Sequence, residues 1–279
     1  MRISRVSLVA AGLTLLVLGA LAFGARCMSL TQVSCSIGAL WSEQAQLDVP
    51  YAGTRPEVVA KMLELGGVGP DDHVVDLGTG DGRILIAAAR DRGARGLGVD
   101  LDAGLIRSAQ RTAEREGIAD RVVFRTEDLF ATPLSDATVL TMFLLPEVNL
   151  RLRPRIFAEM RPGARVVSHA FDMGDWRPDA AARVGGSRLY LWVVPARVGG
   201  RWQVVRENGS RAELVLRQTH QRLQGTFGGA AIREAGLHGL RLRFLVDEGG
   251  APTLYEGNVR GDAIEGARGW RAVRIAPAG

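Results

Sequence analysis

The glycine-rich stretch over residues 74–82 combines an acid with three closely spaced glycines, a pattern that could bind a small ligand. It reads Val-Val-Asp-Leu-Gly-Thr-Gly-Asp-Gly, and the first acid is Asp76. Apolar residues precede and follow the stretch, which predicts a buried strand, a tight turn and the first turn of a helix. Such a backbone can approach a nucleotide-like ligand closely. The alternative interpretation is a glycine turn that binds nothing.

The spacing of the glycines discriminates between ligands. The dinucleotide fingerprint requires G-x-G-x-x-G, and its pyrophosphate sits on the helix N-terminus. Here the third glycine, Gly82, comes one residue early, and Asp76 would repel a phosphate but attract a cation. S-adenosylmethionine (SAM) carries an ammonium and a sulfonium and no phosphate. The stretch therefore favours SAM over a dinucleotide.

Two further acids follow predicted strands. Asp100 ends the strand predicted over residues 95–99, at the distance of about 20 residues where a carboxylate can accept hydrogen bonds from ribose hydroxyls. Asp128 follows the strand predicted over residues 121–125 and could accept the adenine amino proton. Each acid taken singly can also be a solvated loop residue. Together with Asp76, however, they lie at the strand ends where open α/β sheets bind ligands.

Six stretches between residues 50 and 179 carry a resemblance to a known family. They are Pro50-Tyr51 with Thr54, Asp76-Leu-Gly-Thr-Gly-Asp-Gly-Arg-Ile, Gly98-Val-Asp, Asp128-Leu-Phe, Phe143-Leu-Leu-Pro-Glu-Val-Asn and Pro162-Gly-Ala-Arg-Val-Val-Ser. They resemble the class I SAM-dependent methyltransferases. More narrowly, they are similar to the protein-lysine methyltransferases that modify the ATP synthase c-subunit and the adenine nucleotide translocase, and to bacterial relatives. The family's Pro-Tyr-Val-Pro-Thr lead-in is replaced here by Pro-Tyr-Ala-Gly-Thr, which leaves the substrate open.

The resemblance implies SAM as the cofactor and a protein lysine as the methyl acceptor. The residues expected to contact the cofactor are Tyr51, Asp76, Gly78, Thr79, Gly80, Asp81, Gly82, Asp100, Leu101, Asp128 and Leu129. The residues expected to act in catalysis, by lining the acceptor channel, are Phe143, Pro146 and Glu147. Core packing is the alternative role for Phe143, and Glu147 can simply be an acid that suits the helix dipole. His169 is either a general base or a structural residue.

Methyl transfer from a sulfonium is an in-line displacement that depends on positioning and on exclusion of water. It needs neither a metal nor a nucleophilic side chain, so no metal is expected. Two alternative functions stay open. One is a SAM-dependent enzyme that methylates a small molecule or a lipid, and the other is a membrane-tethered binding protein with a vestigial SAM site.

The elements around these residues predict an α/β fold. Strands alternate with predicted helices over residues 58–65, 83–91, 103–116 and 147–160, which indicates a Rossmann-like, doubly wound, mostly parallel sheet with helices on both faces. Thr54 and Glu57 form a capping-box pattern before the first of these helices. We assign residues 50–196 to the SAM-binding domain.

After residue 195 the pattern changes to short segments that have one polar and one apolar face and are separated by glycines. Residues 225–232 and 257–264 form a weak internal repeat, each predicting two strands about a Gly-X turn. We expect a small antiparallel β domain over residues 200–276, a partial barrel or a sandwich, that serves as an accessory module for binding a protein or the envelope. His220 and His238 lie in it without metal-ligand partners at useful spacing.

The N-terminus predicts a membrane anchor or signal segment over residues 1–30, followed by a linker over residues 31–49. Residues 6–25 carry no charge, and about 20 apolar residues span a bilayer core. Cleavage after Gly24 is the alternative. Cys27 and Cys35 either pair or stay unremarkable thiols. The sequence thus predicts a protein anchored in the bacterial inner membrane by a transmembrane helix, with its side of the membrane open.

The net charge of +5 does not indicate a nucleic-acid partner. Lys61 is the one lysine in the chain, and all other basic residues are arginines scattered among acids. A nucleic-acid-binding protein typically clusters its basic residues on one face. No dense basic tract with interleaved aromatics occurs, so we expect no nucleic-acid partner; the protein substrate is what the resemblance implies.

Overall fold

The computed structural model describes residues 53–277 of the 279-residue chain. The predicted membrane anchor (1–30), the predicted linker (31–49) and Tyr51 lie outside the described residues. Within residues 53–277, no helix has both the length and the apolar composition that crossing a bilayer requires. The predicted transmembrane helix therefore has no counterpart in the described part of the fold.

A seven-stranded sheet forms the first part of the described chain. Its strands are β1 (His73–Leu77), β2 (Arg95–Asp100), β3 (Val122–Thr126), β4 (Val139–Met142), β5 (Arg165–His169), β6 (Ala180–Val184) and β7 (Ser187–Val193). Their order is β3-β2-β1-β4-β5-β7-β6. Strands β1 to β5 are parallel, and β7 runs antiparallel to β5 and β6. The order reverses between β1 and β4, and a reversal of this kind opens a ligand crevice at the C-terminal strand ends.

Four helices cover the two faces of this sheet. They are α1 (Pro56–Leu65), α2 (Arg83–Arg92), α3 (Ala103–Arg115) and α4 (Pro146–Glu159). Because side chains alternate along a strand, Val74 packs with α1, α2 and α3 on one face, whereas Val75 packs with α4 on the other. The predicted doubly wound α/β fold is confirmed.

Two local features differ from the sequence-based expectation. The predicted capping box is wrong: Arg55, not Thr54, is the N-cap residue of α1, and it makes no side-chain capping bond. The Thr54 hydroxyl instead contacts Nδ1 of His169 at 3.2 Å. Strand β6 was not predicted, because its Ala-Ala-Ala-Arg-Val sequence has no clear alternation and acquires its structure by pairing with β7.

A second sheet contains the remaining strands. These are β8 (Gly200–Val205), β9 (Arg211–Thr219), β10 (Arg222–Phe227), β11 (Ala230–Ala231), β12 (Arg233–His238), β13 (Arg241–Glu248), β14 (Ala251–Arg260), β15 (Ala263–Gly266) and β16 (Arg271–Pro277). Apart from the two-residue β11, each strand pairs antiparallel with the next, and β16 pairs with β8. The result is a closed, eight-stranded, up-and-down barrel. The antiparallel β domain expected from the sequence is thus a complete barrel.

The barrel interior is filled by large apolar side chains. Trp202, Phe244 and Ile264 are fully buried there. The indole Nε1 of Trp202 donates to the carbonyl oxygen of Val198 at 2.8 Å, so this buried polar atom is satisfied. An eight-stranded barrel has an interior just wide enough to be filled by side chains or to hold one small ligand.

One end of the barrel, which we call the proximal end, contacts the first sheet and α4. It contains the turns at residues 219–222 and 238–241. The His220 ring stacks on Phe157 of α4 at a centroid distance of 5.1 Å, and Gln221 donates to the carbonyl of Arg177 at 2.6 Å. The distal end contains the turns at residues 206–210 and 248–251 and a short 3-10 turn, Ala267–Gly269.

Candidate cofactor and acceptor site

The glycine loop connects β1 to α2 and folds back over β2. The backbone N–H groups of Gly78 and Thr79 both donate to the carbonyl oxygen of Val99, at 3.0 and 2.9 Å. Gly82 is the N-cap of α2 with a φ of 79°, and a Cβ at this position would lie 2.7 Å from the ring of Phe124. A left-handed backbone in so little space accepts only glycine.

Asp76 lies beneath this loop and is 1% exposed. Its two carboxylate oxygens accept hydrogen bonds from the hydroxyls of Thr79 and Thr141, each at 2.7 Å. Burial raises the pKa of Asp76 to about 6, and the nearby charges of Asp100 and Asp81 add to this effect, although the two hydroxyl bonds oppose it. Asp76 therefore holds the loop against β4, while its neighbours keep the site acidic.

Asp100 stands at the C-terminal end of β2 and is half-buried. Its Oδ2 accepts the N–H of Gly80 and its Oδ1 accepts the N–H of Asp102, both at 2.9 Å. Each carboxylate oxygen keeps a second lone pair for another donor. Leu101 follows in a bend and is also half-buried. The carboxylate is thus fixed beside the loop with acceptor capacity left over.

The end of β3 lies next to the end of β2. The N–H of Glu127 donates to the Asp100 carbonyl at 3.1 Å. Asp128 is exposed, and its Oδ1 accepts the N–H of Phe130 at 2.8 Å. Leu129 packs against the core on the α4 face. Sequence reasoning did not select Glu127, although its backbone makes the direct link to the Asp100 strand end.

Arg83 connects the loop to the segment before α1. Its guanidinium pairs with Asp81 at 2.6 Å and donates to the Thr54 carbonyl at 2.9 Å. Arg55 in the same segment donates to the carbonyl of Gly185 in the β6–β7 turn. Sequence reasoning missed Arg83, although the residue directly follows the third glycine and could have been considered on that ground.

Aromatic rings cluster at the ends of β4 and β5. The ring centroid of Phe143 lies 3.9 Å from that of His169 and 6.4 Å from that of Phe171. His169 is 7% exposed, and burial lowers its pKa, to which the charge of Arg55 adds. The imidazole is therefore neutral at pH 7, and the cluster presents apolar faces.

Asn149 on α4 fixes the loop that carries Phe171. Its fully buried Nδ2 lies 3.3 Å from the Ser168 hydroxyl, and 3.4 and 3.3 Å from the carbonyl oxygens of Phe171 and Asp172. Its Oδ1 is buried without a hydrogen-bond partner among the described residues. The side chain therefore orients the aromatic cluster from below.

The remaining predicted acceptor residues begin α4. Pro146 is its first residue and is half-buried, two residues beyond buried Leu144. Glu147 is exposed in the first turn of the helix. Of the three predicted channel residues, Phe143 is thus in the aromatic cluster, Pro146 lies three residues further along the chain, and Glu147 faces solvent.

The chemistry of this edge fits SAM better than a phosphate ligand. The N–H groups of Gly78, Thr79 and Gly80 already donate to protein oxygens, so they do not form a free anion nest. The carboxylates of Asp76, Asp81 and Asp100 surround the loop. Arg83 offsets the charge of Asp81, and the net charge that is left is negative, which favours a cationic ligand. Within residues 53–277, no cluster of His, Cys, Asp and Glu side chains has an arrangement suited to a metal ion.

Comparison with known proteins agrees with this geometry. Residues 76–180 match the ANTKMT methyltransferase domain. A protein-lysine N-methyltransferase from Saccharolobus islandicus is 41% identical over 52% of this chain and 94% of its own length. The mouse adenine nucleotide translocase lysine N-methyltransferase is 35% identical over 53% of this chain, which spans 65% of that protein. An RNA methyltransferase from Salinibacter ruber, solved with S-adenosyl-L-homocysteine, is 48% identical over 53% of this chain and 96% of its own, with a TM-score of 0.52.

The sheet order, the glycine loop and the grouped acids define a SAM-dependent methyltransferase. The archaeal relative is matched over nearly its whole length. The chain belongs to the ANTKMT methyltransferase family.

The predicted membrane-anchored localisation is wrong. The archaeal relative is matched over 94% of its length, so its unmatched remainder is shorter than the roughly 20 residues that a membrane-crossing helix needs. The described part of this chain contains no such helix either. Membership of the family therefore gives no ground for a membrane anchor or for a membrane partner.

Proposed function

We propose that this protein is a protein-lysine N-methyltransferase that uses SAM. The observation that carries the proposal is the neutral aromatic cluster of Phe143, His169 and Phe171 at the same sheet edge as the acidic glycine loop. An acidic site suits the cationic methyl donor, and an apolar aromatic wall suits an amine acceptor. The family's archaeal and mouse relatives are named for methylation of lysine in proteins.

The loop and the strand ends supply the residues that would hold SAM. Asp100 would accept the ribose hydroxyls through its spare lone pairs, and the backbone of Gly78 and Gly80 would lie against the ligand. Asp81 would face its positive charge, and Asp128 with Leu129 would border the adenine. Bound SAM supplies an electrophilic methyl group on sulfur. The residues of this chain hold that group in line with the acceptor and exclude water.

The aromatic cluster would receive the lysine side chain. A lysine ammonium has no lone pair, so it must lose a proton before it can attack. An apolar wall disfavours the charged form and lowers the pKa of the entering lysine, because it cannot solvate an ammonium. Phe143 would pack along the side chain, Pro146 would border it, and Asn149 positions the loop of Phe171. Glu147, which is exposed, would contact the acceptor's surrounding protein surface.

The proposal is tested by identifying the methylated group. Purified protein is incubated with tritiated SAM and, separately, with protein, RNA and lipid fractions from cells that lack it. We expect label in protein, recovered as methyl-lysine after acid hydrolysis. Asp100→Asn, which changes the proposed SAM site, should reduce the label. Asp71→Asn, at an exposed position at the opposite edge of the sheet, is the matched control and should label as the parent does.

RNA methylation is the second candidate, because one relative is named an RNA methyltransferase and shares 48% identity with this chain. Label in methylated nucleosides, with none in lysine, would replace the first proposal by this one. The barrel arginines do not favour RNA, because several of them pair with acids. These pairs include Arg201–Glu213, Arg206–Glu248, Arg233–Asp247 and Arg274–Asp262.

A further inference from the structure

The distal end of the barrel contains a cavity that methyl transfer does not use. Its volume is about 430 Å³, within the range of small-molecule sites. Arg206, Thr253, Tyr255, Arg268 and Trp270 contribute to its lining. The contacts to the methyltransferase sheet and α4 are made at the proximal end, at the other ends of the same strands. A ligand bound in the cavity would therefore leave the SAM site untouched.

Aromatic side chains form one wall of this cavity. Tyr255 and Trp270 are 5% and 6% exposed, and their rings meet edge to face at 5.5 Å. The Tyr255 ring also stacks on Phe244 at 5.0 Å, deeper in the barrel. Tight packing holds Trp270 in place, since a Cβ at Gly257 would lie 3.0 Å from its ring. The wall is rigid and apolar.

The polar groups at the cavity include one charged hydrogen-bond donor without a protein acceptor in the described part of the chain, Arg268. Arg206 is satisfied, because it bonds to the Tyr255 hydroxyl at 3.1 Å and to Glu248 at 2.5 Å. The Trp270 indole Nε1 also has no partner among residues 53–277, but it is buried with almost no accessible surface, so it is not available to a ligand in the cavity. Within the same range Arg268 forms no ion pair, and its backbone is held at a φ of 65°. Glu207 is the one acid on the lining.

We propose that the distal cavity of the barrel binds a small organic anion with an aromatic or apolar body. A guanidinium can only donate, so the ligand group that it binds must be an acceptor. The exposed guanidinium of Arg268 adds the charge that selects a carboxylate or sulfonate over a neutral acceptor. Tyr255 and Trp270 cover the apolar body. The barrel is then a ligand-binding module joined to a methyltransferase.

The test uses 8-anilinonaphthalene-1-sulfonate, an aromatic sulfonate whose fluorescence rises on binding. The whole protein is titrated in saturating S-adenosyl-L-homocysteine, so that the methyltransferase site is occupied. We expect one equivalent of the probe to bind. N-phenyl-1-naphthylamine, which has the same rings without the sulfonate, should bind at least about tenfold more weakly, because a charged hydrogen bond contributes roughly 1.5–3 kcal/mol.

Two variants locate the probe. Arg268→Gln removes the charge from an exposed side chain and should weaken binding about tenfold. Trp270→Phe keeps an aromatic wall and should weaken binding less than Arg268→Gln does. Arg217→Gln on the outer barrel wall is the matched control and should bind as the parent does. Methyl transfer and the thermal midpoint should be unchanged in Arg268→Gln. Equal binding of the neutral analogue, preference for a cationic analogue, or unchanged affinity in Arg268→Gln would each overturn the proposal.

Discussion

Asp76 and Asp100 lie on either side of the glycine loop in opposite surroundings. Asp76 is sealed beneath the loop with two hydroxyl donors, whereas Asp100 stands half-buried at the rim with spare lone pairs. A buried carboxylate is costly to ionise, and a partly solvated one is not. The first therefore acts on the structure of the loop, and the second is placed to meet a ligand.

The raised pKa of Asp76 predicts a pH-dependent stability. Its pKa is 3.8 in the unfolded chain and about 6 in the folded protein, so the folded state holds the proton more tightly. The stability this group contributes is present below pH 4 and is lost as the pH rises through 6. The loss amounts to about 3 kcal/mol in the free energy of unfolding. Asp76→Asn should abolish this pH dependence, because the asparagine amide does not titrate. Urea unfolding of both proteins between pH 4 and 7.5 measures the difference.

Other carboxylates titrate in the same window, so the difference between the two proteins is the informative quantity. The free energy of unfolding of the parent, minus that of Asp76→Asn, should fall as the pH rises from 4 to 6.5. Asp71→Asn, at an exposed site, should run parallel to the parent. A difference that stays constant with pH would show that burial does not control the ionisation of Asp76.

Asp100→Asn should weaken SAM binding. The amide retains one acceptor oxygen for the N–H of Gly80 or of Asp102 but loses the charge and the lone pairs proposed for the ribose. Loss of hydrogen bonds to a charged group predicts an affinity at least about tenfold lower. Isothermal titration calorimetry with SAM measures it. Unchanged affinity, with Asp71→Asn as reference, would remove the ribose assignment.

Among single residues, the sequence predicts those whose position depends on the local pattern of strands and turns, and not those whose position depends on contacts between distant segments. Asp76, Asp100 and Asp128 were found because each lies at or just after the C-terminal end of a strand, and parallel strands end at a common edge. Thr141 was not found, because its bond to Asp76 depends on the register of β1 with β4. The contact between Thr54 and His169 joins residues 115 positions apart, and nothing local signals it.

At the scale of elements, the glycine loop needs glycine for two reasons, a left-handed backbone and a lack of space for a side chain. Two substitutions can measure these contributions separately. Gly82 has a φ of 79° and no space for a Cβ, whereas Gly117 has a φ of 69° with nothing within 4 Å of that position. Gly117→Ala should cost about 1–2 kcal/mol, for backbone strain alone. Gly82→Ala should cost roughly 1–3 kcal/mol more, for overpacking against Phe124.

Thermal or urea unfolding of both variants measures this difference in the free energy of unfolding. Gly82→Ala should also weaken SAM binding, because the turn lies in the proposed site, and Gly117→Ala should not. Equal destabilisation by the two changes would mean that Phe124 moves aside and that close packing does not require glycine in the loop.

The elements themselves were predictable wherever the hydrophobic periodicity and the residues that mark element ends indicate the same boundaries. Helices α2, α3 and α4 begin and end within a residue or two of the prediction. Glycines flank α2, the Asp102 side chain caps the start of α3, and a proline is the first residue of α4. Strand β6 and the cap of α1 were not predictable in this way. The first depends on a partner strand, and the second on a competing contact made by Thr54.

At the scale of the whole molecule, His220 lies at the junction of barrel and methyltransferase. Its ring stacks on Phe157, and burial lowers its pKa, although the charge of Asp175 opposes this shift. A histidine with a lowered folded pKa stabilises the protein above its unfolded pKa, near 6.5, and that stability is lost as the pH falls below it. The junction is therefore expected to weaken in mild acid.

His220→Asn should remove this acid sensitivity while lowering stability at pH 7, because the stacking is lost. Asparagine is chosen since His220 has a φ of 54°, which asparagine tolerates better than most residues do. Unfolding between pH 7.5 and 5 measures the effect, and His238→Asn, at an exposed site, is the control. If the pH dependence of His220→Asn equals that of the parent, the junction does not respond to this histidine.

The sequence predicted an antiparallel β domain, but its closure could not be read from the strands alone. Strand pattern and turn positions specify neighbours in the chain. The pairing of β16 with β8 joins segments about 70 residues apart and depends on the accumulated twist and tilt of all the strands. The domain boundaries at residues 196 and 200 remain a proposal.

The pairing of β16 with β8 also has a consequence for biosynthesis. Because β16 completes the ring, the barrel cannot assemble until residues 271–277 have left the ribosome, whereas the earlier sheet has all its strands by residue 193. A nascent or truncated chain without β16 would expose unpaired backbone N–H and C=O groups on β8 and β15, and these can pair with strands of other chains. Loss of this C-terminal strand should therefore cause aggregation, not merely lower stability.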